Sequence, residues 1–199
     1  MGIAEGVADV VAAHPLVRGV EPTGSRARGT ATELSDWDFH VDAEDFGQVA
    51  SDLPELIAPF EPLAAQWDPL GDCESYLLIF SGPAKVDLLF PDVLRSWNPP
   101  WRVGPDTLPY IDAHFWDWML WLVSKRHHGM DDRVRGELLR MRLHVLEPLG
   151  IAHLPSSLQD AATRYIRARD RLETRYGLHI PRQLQNEVLP LVGATMTIP

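Results

Sequence analysis

Hydrophobic residues in the first half of the chain switch between two spacings. From Ile3 to Ala13 they fall at helical intervals, and Leu16 to Pro22 reads as a strand running into the turn Gly24-Ser25. The segment DWDFHVD, Asp36 to Asp42, then alternates: Trp37, Phe39 and Val41 point one way, and Asp36, Asp38, His40 and Asp42 the other. Asp45 to Phe60 returns to helical spacing, with Pro54 as a place where the helix can kink or split. Leu63 to Trp67, Tyr76 to Phe80 and Lys85 to Phe90 are strand-like, the last two joined by the turn Ser81-Gly82-Pro83.

The run PDVLRSWNPPWRVGPDTLP interrupts both periods and reads as a connection. Beyond it the spacing predicts helices over Ile111 to His127, Asp131 to Leu149, Ser156 to Tyr176 and Pro181 to Leu191. No internal repeat is visible. Strands first and helices after predict an α+β fold: a mixed sheet with flanking helices over residues 1–92, a connection over 93–110 and a helical bundle over 111–199.

Composition narrows the class. With 199 residues, 45% of them hydrophobic, the chain can bury a core in one domain or two small ones. A single cysteine, Cys73, excludes an intrachain disulfide framework and fits a reducing cytosol. The N-terminal segment carries Glu5 and Asp9 where a secretory signal has basic residues. The apolar run from Phe115 to Val123 is broken by Asp117 and falls short of the roughly 18 to 20 residues that span a bilayer. A soluble, cytoplasmic protein without membrane attachment is therefore expected, and nothing in the sequence fixes its oligomeric state.

Charge is unevenly spread. The net value is −10, but residues up to Asp112 carry 6 basic and 19 acidic side chains, net −13, while those beyond carry 12 and 9, net +3. The acidic half repels bare polynucleotide, so no nucleic-acid partner is expected, and it suits a cationic acceptor. An anionic substrate would need metal ions to approach it.

The alternating segment supplies the reason to expect such ions. Carboxylates at i and i+2 of a strand sit roughly 6.6 Å apart, and their repulsion weakens the strand unless a cation or water relieves it. Asp87, between Val86 and Leu88 in a strongly apolar strand, is equally costly to bury alone. A salt bridge to an arginine such as Arg28 is the ordinary remedy. Convergence of Asp36, Asp38 and Asp87 on hard divalent cations accounts for more, because Mg²⁺ prefers oxygen ligands and leaves positions open for phosphates. Upstream, GSRARGT from Gly24 to Thr30 lacks the lysine of a P-loop. Gly24 nevertheless lets backbone amides come close to phosphate oxygens, and Ser25 adds a hydroxyl donor.

This combination, Gly24-Ser25, then Asp36 and Asp38 around Trp37, then Asp87 within AKVDLLF, resembles the DNA polymerase beta superfamily of nucleotidyltransferases. The form GSRARGTATELSDWDFHV is similar to the minimal nucleotidyltransferases and to the aminoglycoside and lincosamide adenylyltransferases. The resemblance covers about the first 90 residues and implies a nucleotidyltransferase-type catalytic domain there. It implies transfer of a nucleoside monophosphate, AMP by preference, from an NTP co-substrate to a hydroxyl of a small-molecule acceptor, with release of pyrophosphate. It further implies two Mg²⁺ ions, replaceable by Mn²⁺, on Asp36, Asp38 and Asp87, with Asp87 a ligand, a base or both. Gly24, Ser25 and Arg28 would cradle the phosphates, and Lys125, one of two lysines, matches a lysine that reaches the triphosphate in related antibiotic transferases. Where some members place a carboxylate base one turn before that lysine, this chain has Trp121, leaving Asp87 ahead of Glu74 and Asp42. A protein-adenylylating antitoxin and a catalytically silent nucleotide-binding protein are the alternatives.

Other features read as structure. Lys125 also suits a helix C-terminus, and the adjacent His127 and His128 diverge on a helix. Trp116, Trp118 and Trp121 read as core, and the stripe Arg164, Arg167, Arg171 and Arg175, with Asp160, as a solvated ion-paired face.

Overall fold

The computed structural model describes residues 2–68, 71–95 and 101–193. The chain divides into two compact units, Met1–Asn98 and Pro99–Pro199. The first contains α1 (Ile3–Ala12), β1 (Val17–Thr23), a single turn α2 (Gly24–Ala27), β2 (Trp37–Ala43), α3 (Phe46–Ile57), β3 (Ala64–Trp67), β4 (Cys73–Phe80) and β5 (Ala84–Leu94). The second contains α4 (Leu108–His127), α5 (Asp131–Met141), α6 (Leu158–Tyr176) and α7 (Gln183–Gly193). The fold is α+β, a five-stranded mixed sheet with flanking helices followed by helices.

Sheet order is β1-β2-β5-β4-β3, with β2 and β5 parallel and the other neighbours antiparallel. Alternation assigns the faces. Phe39 and Val41 of β2, Val86, Leu88 and Phe90 of β5, and Tyr76, Leu78 and Phe80 of β4 form one core with Val7 and Val11 of α1 and Val49, Leu53 and Ile57 of α3. The next residues along each strand, Asp38, His40 and Asp42 on β2 and Lys85 and Asp87 on β5, therefore belong to the opposite face.

Pro54 does not split α3. The helix runs through it and tightens to 3₁₀ geometry only at Ala58–Phe60, because Val49, Leu53 and Ile57 form one buried stripe across the proline. Asp45 caps its start by accepting from the Gln48 amide at 3.1 Å. β5 is longer than expected: it continues through Pro91 to Leu94, which pairs with Cys73 across an irregularity between Cys73 and Glu74. Part of the expected connection is thus strand, and its residues 96–100 lie outside the described ones.

In the second unit, α4 is buried from Leu108 to Ser124 on nearly every side, with Pro109 in its first turn, where a missing amide costs nothing. Trp116 and Trp118 are core, as expected, and Trp121 is half-buried. Phe115 stacks on Tyr165 at 3.7 Å, and the Tyr165 hydroxyl donates to Asp112 at 2.8 Å beside the fully buried Arg169, whose guanidinium donates to the same carboxylate at 3.1 Å. Burial pushes the Asp112 carboxyl above its usual range despite the attraction of Arg169. The expected helix to Leu149 instead ends at Met141 and widens into a π turn, Arg142–Leu146. That turn buries His144, Val145 and Leu146 in succession, an arc of roughly 200° at α-helical spacing.

Candidate active site

Strand register assembles the site. In the β1–β2 pairing Thr23 stands opposite Asp38, and in the parallel β2–β5 pairing Asp38 stands opposite Asp87. Asp36 lies just before β2, so it is not a strand residue as the alternation predicted, but its side chain joins the other two. One ligand oxygen from each of Asp36, Asp38 and Asp87 lies within 4.8 Å of the others, and no other group of three such side chains forms among the described residues.

Two features bear on whether these residues could hold a hard divalent cation. Asp36 Oδ1 is buried with no hydrogen-bond partner among the described residues, an arrangement that costs free energy unless a cation or water satisfies it. Gly24, which follows the residue opposite Asp38, has φ +68°, and a Cβ there would lie 1.9 Å from Asp38 Oδ2. The backbone of the turn therefore rests directly against the carboxylate, an approach open only to glycine.

The turn is shaped by Arg26. Its guanidinium donates to the carbonyl oxygens of Ser35 (2.7 Å from one nitrogen, 3.2 Å from another) and Asp36 (3.1 Å), and it lies 4.0 Å over the Trp37 ring. Arg26 thus ties the Gly24-Ser25 turn to the residues that present Asp36. Ser25 is half-buried, and its carbonyl accepts from the Thr30 amide at 3.0 Å. Arg28 is exposed. The cation at Asp87 is not Arg28 but Lys85: its ammonium lies 3.2 Å from Asp87 Oδ2, with both residues 9% exposed. The sequence carried this signal, because Lys85 stands two residues before Asp87 in AKVDLLF and so shares its face.

The other candidates fall elsewhere. Asp42 is exposed and pairs with Arg18 at 3.7 Å. Glu74 forms a two-point ion pair with Arg95, one arm of which is 3.1 Å. Lys125 belongs to the second unit, where it sits in the last turn of α4 with its ammonium 4.9 Å over the Trp121 ring. The His127 and His128 rings lie 6.0 Å apart, edge to face at 85°, and His128 Nδ1 bonds to the Ser124 carbonyl. Arg164 pairs with Asp160 at 2.6 Å, and Arg167, Arg171 and Arg175 are exposed, the solvated face that the spacing predicts.

No protein-family model matches the chain, and no curated protein matches its sequence. Among solved structures, it is similar to an aminoglycoside 6-adenyltransferase from Bacillus subtilis, with 14% identity, coverage of 93% of this chain and 94% of that one, and a TM-score of 0.34. No helix among the described residues is long and apolar enough to cross a membrane.

Proposed function

We propose that this chain is a metal-dependent nucleotidyltransferase that moves a nucleoside monophosphate, AMP by preference, from an NTP to a hydroxyl of a small-molecule acceptor. The observation that carries the reading is the convergence of Asp36, Asp38 and Asp87 within 4.8 Å beside a glycine turn that leaves no space for a side chain. Asp36, Asp38 and Asp87 would hold Mg²⁺ or Mn²⁺, the hard cations that three carboxylates select. Bound there, the metal would lower the pKa of the acceptor hydroxyl and neutralise the triphosphate.

The chain's own residues supply position and charge. Gly24 and Ser25 present the turn to the phosphates, and Arg26 keeps that turn fixed against the carboxylates. Asp87 is the base in this reading, since Asp42 and Glu74 are each paired away from the triad. The acceptor oxygen forms a bond to the α-phosphorus, its proton passes to a carboxylate oxygen of Asp87, and the bond to the β-phosphate breaks to release pyrophosphate. The first 112 residues carry net −13, which favours a cationic acceptor such as an aminoglycoside over a polynucleotide.

Asp38→Asn tests the reading. Removing one of the clustered charges at nearly constant shape leaves the melting temperature in chelator unchanged or modestly raised. Pyrophosphate release with Mg²⁺, ATP and an aminoglycoside panel falls by roughly 10³-fold. A structural carboxylate gives the opposite pattern: a lower melting temperature, with activity lost only in proportion to unfolding.

A further inference from the structure

Lys85 is a buried ammonium against one carboxylate of the acidic cluster, and the function proposed above does not use it. Its Nζ lies 3.2 Å from Asp87 Oδ2, its side chain is 9% exposed, and Asp87 shares a 4.8 Å cluster with Asp36 and Asp38. The placement is fixed by the strand, because residues at i and i+2 share a face and β5 holds Val86 and Leu88 in the core on the other. Lys85 therefore cannot leave without carrying its backbone along, although its four-carbon stem lets the ammonium swing.

We propose that Lys85 is the internal counter-ion of the carboxylate site: it holds Asp87 in place in the metal-free protein and opposes an incoming divalent cation, so that it sets the affinity of the site for metal. This rests on the reading of Asp36, Asp38 and Asp87 as metal ligands. Three carboxylates and one ammonium leave a formal charge of −2 among these four groups. Without the ammonium the same groups would carry −3, at greater mutual repulsion and with stronger attraction for a dication. Lys85 and a metal on Asp87 would draw on the same carboxylate group. Binding a dication there then works against the neighbouring ammonium, a cost absent from a site built of carboxylates alone. The device keeps the acidic face ordered between turnovers while leaving the metal exchangeable.

The probe is Mn²⁺ alone, without nucleotide, measured by calorimetry and by the rise in melting temperature over a chelator control. Lys85→Met removes the charge and keeps most of the stem; Lys85→Gln removes the charge but keeps a donor for Asp87, so the fold is tolerated if the methionine variant fails to express. Lys85→Arg retains the charge. Either neutral variant is expected to bind Mn²⁺ roughly tenfold or more tightly than wild type, with a larger metal-induced rise in melting temperature. Lys85→Met is expected to melt lower in chelator, and Lys85→Arg to keep affinity near wild type. Neutral variants that bind Mn²⁺ no more tightly than wild type overturn the proposal, as does an arginine variant that behaves like the neutral ones. The parent reading fails differently, through a wild-type protein that binds no Mn²⁺ or an Asp38→Asn variant that binds it equally well.

Discussion

A single methyl group placed on Gly24 should dismantle the carboxylate site. A Cβ there would stand 1.9 Å from Asp38 Oδ2, 2.8 Å from its Cγ and 3.2 Å from its Cβ. Ordinary contacts between nonbonded heavy atoms are about 3.5 Å or longer, so the carboxylate must retreat by more than about 1 Å. Swinging the side chain to another rotamer relieves the two shorter contacts, while the one to the Cβ rooted in β2, opposite Thr23, asks the strand to give by a few tenths of an ångström. Two costs add. Alanine at φ +68° loses roughly 1–2 kcal/mol in the left-handed region, and a displaced Asp38 rotamer adds about 0.5–1.5 kcal/mol. Gly24→Ala should therefore lose roughly 1.5–3.5 kcal/mol in urea unfolding. It should also bind Mn²⁺ far more weakly and transfer about 10²-fold more slowly, as a misplacement of that size implies. Gly29 supplies the control. Its φ is +69°, but a Cβ there meets nothing within 4 Å, so Gly29→Ala carries the backbone cost without the collision. The two variants should differ sharply in Mn²⁺ affinity measured by calorimetry. Equal affinities would refute the claim that the turn is seated on Asp38.

The second unit offers two further tests. Glu173 accepts from the Ile180 amide at 2.6 Å and from Arg182 at 2.9 Å; burial works against its charge, but these bonds outweigh it and hold the carboxyl below its usual 4.5. A lowered folded value means stability present above pH 4.5 and lost as pH falls through it. Wild type should thus exceed Glu173→Gln by about 2 kcal/mol near pH 7, a gap that closes on acidification; a gap independent of pH in urea titrations would contradict this. Ser157 accepts from the Asp160 amide at 3.1 Å at the start of α6, so Ser157→Ala should cost about 1 kcal/mol and Ser157→Asp almost nothing, as read from urea midpoints.

What the sequence made legible follows from which forces are local. The alternation of Trp37 to Asp42 predicted the faces of β2, because side-chain direction in a strand depends on nothing farther away than its neighbours. The meeting of Asp38 with Asp87 could be expected from the cost of burying Asp87 alone and from the resemblance, but the strand pairing that achieves it could not be read locally, since pairing over that sequence separation is a property of the whole sheet. Arg26 escaped notice for the opposite reason. Its partners are the Ser35 and Asp36 carbonyls, and backbone acceptors leave no residue-type signature. Lys85 was overlooked although its i, i+2 spacing from Asp87 is plain, because a lysine in an apolar strand ordinarily reaches out to water. The π turn after α5 was equally hidden: Asp131 to Leu149 keeps helical composition throughout, and the extra residue becomes visible only where His144, Val145 and Leu146 are buried in succession.

Core and site are two readings of one register. The alternation that buries Phe39, Val41, Val86 and Leu88 with α1 and α3 sends Asp38 and Asp87 to the other face, and Lys85 with them. Slipping β5 by one residue against β2 would not merely separate the two carboxylates. It would turn Asp87 and Lys85 into the apolar core and move Val86 and Leu88 out of it, at a cost of several kcal/mol for the stranded charges alone. The acidic face is thus held in register by the hydrophobic one, and not by attraction among its own members, which is repulsive for the three carboxylates. Proteins must stabilise such a concentration of like charge from outside the cluster. Here the sheet supplies that stability from beneath, Arg26 from the adjoining loop and Lys85 from within the same strand. The fold thus holds the three carboxylates together through contacts outside the cluster, and a substitution at Lys85 or Gly24 should move the stability of the protein and the metal affinity of the site at once.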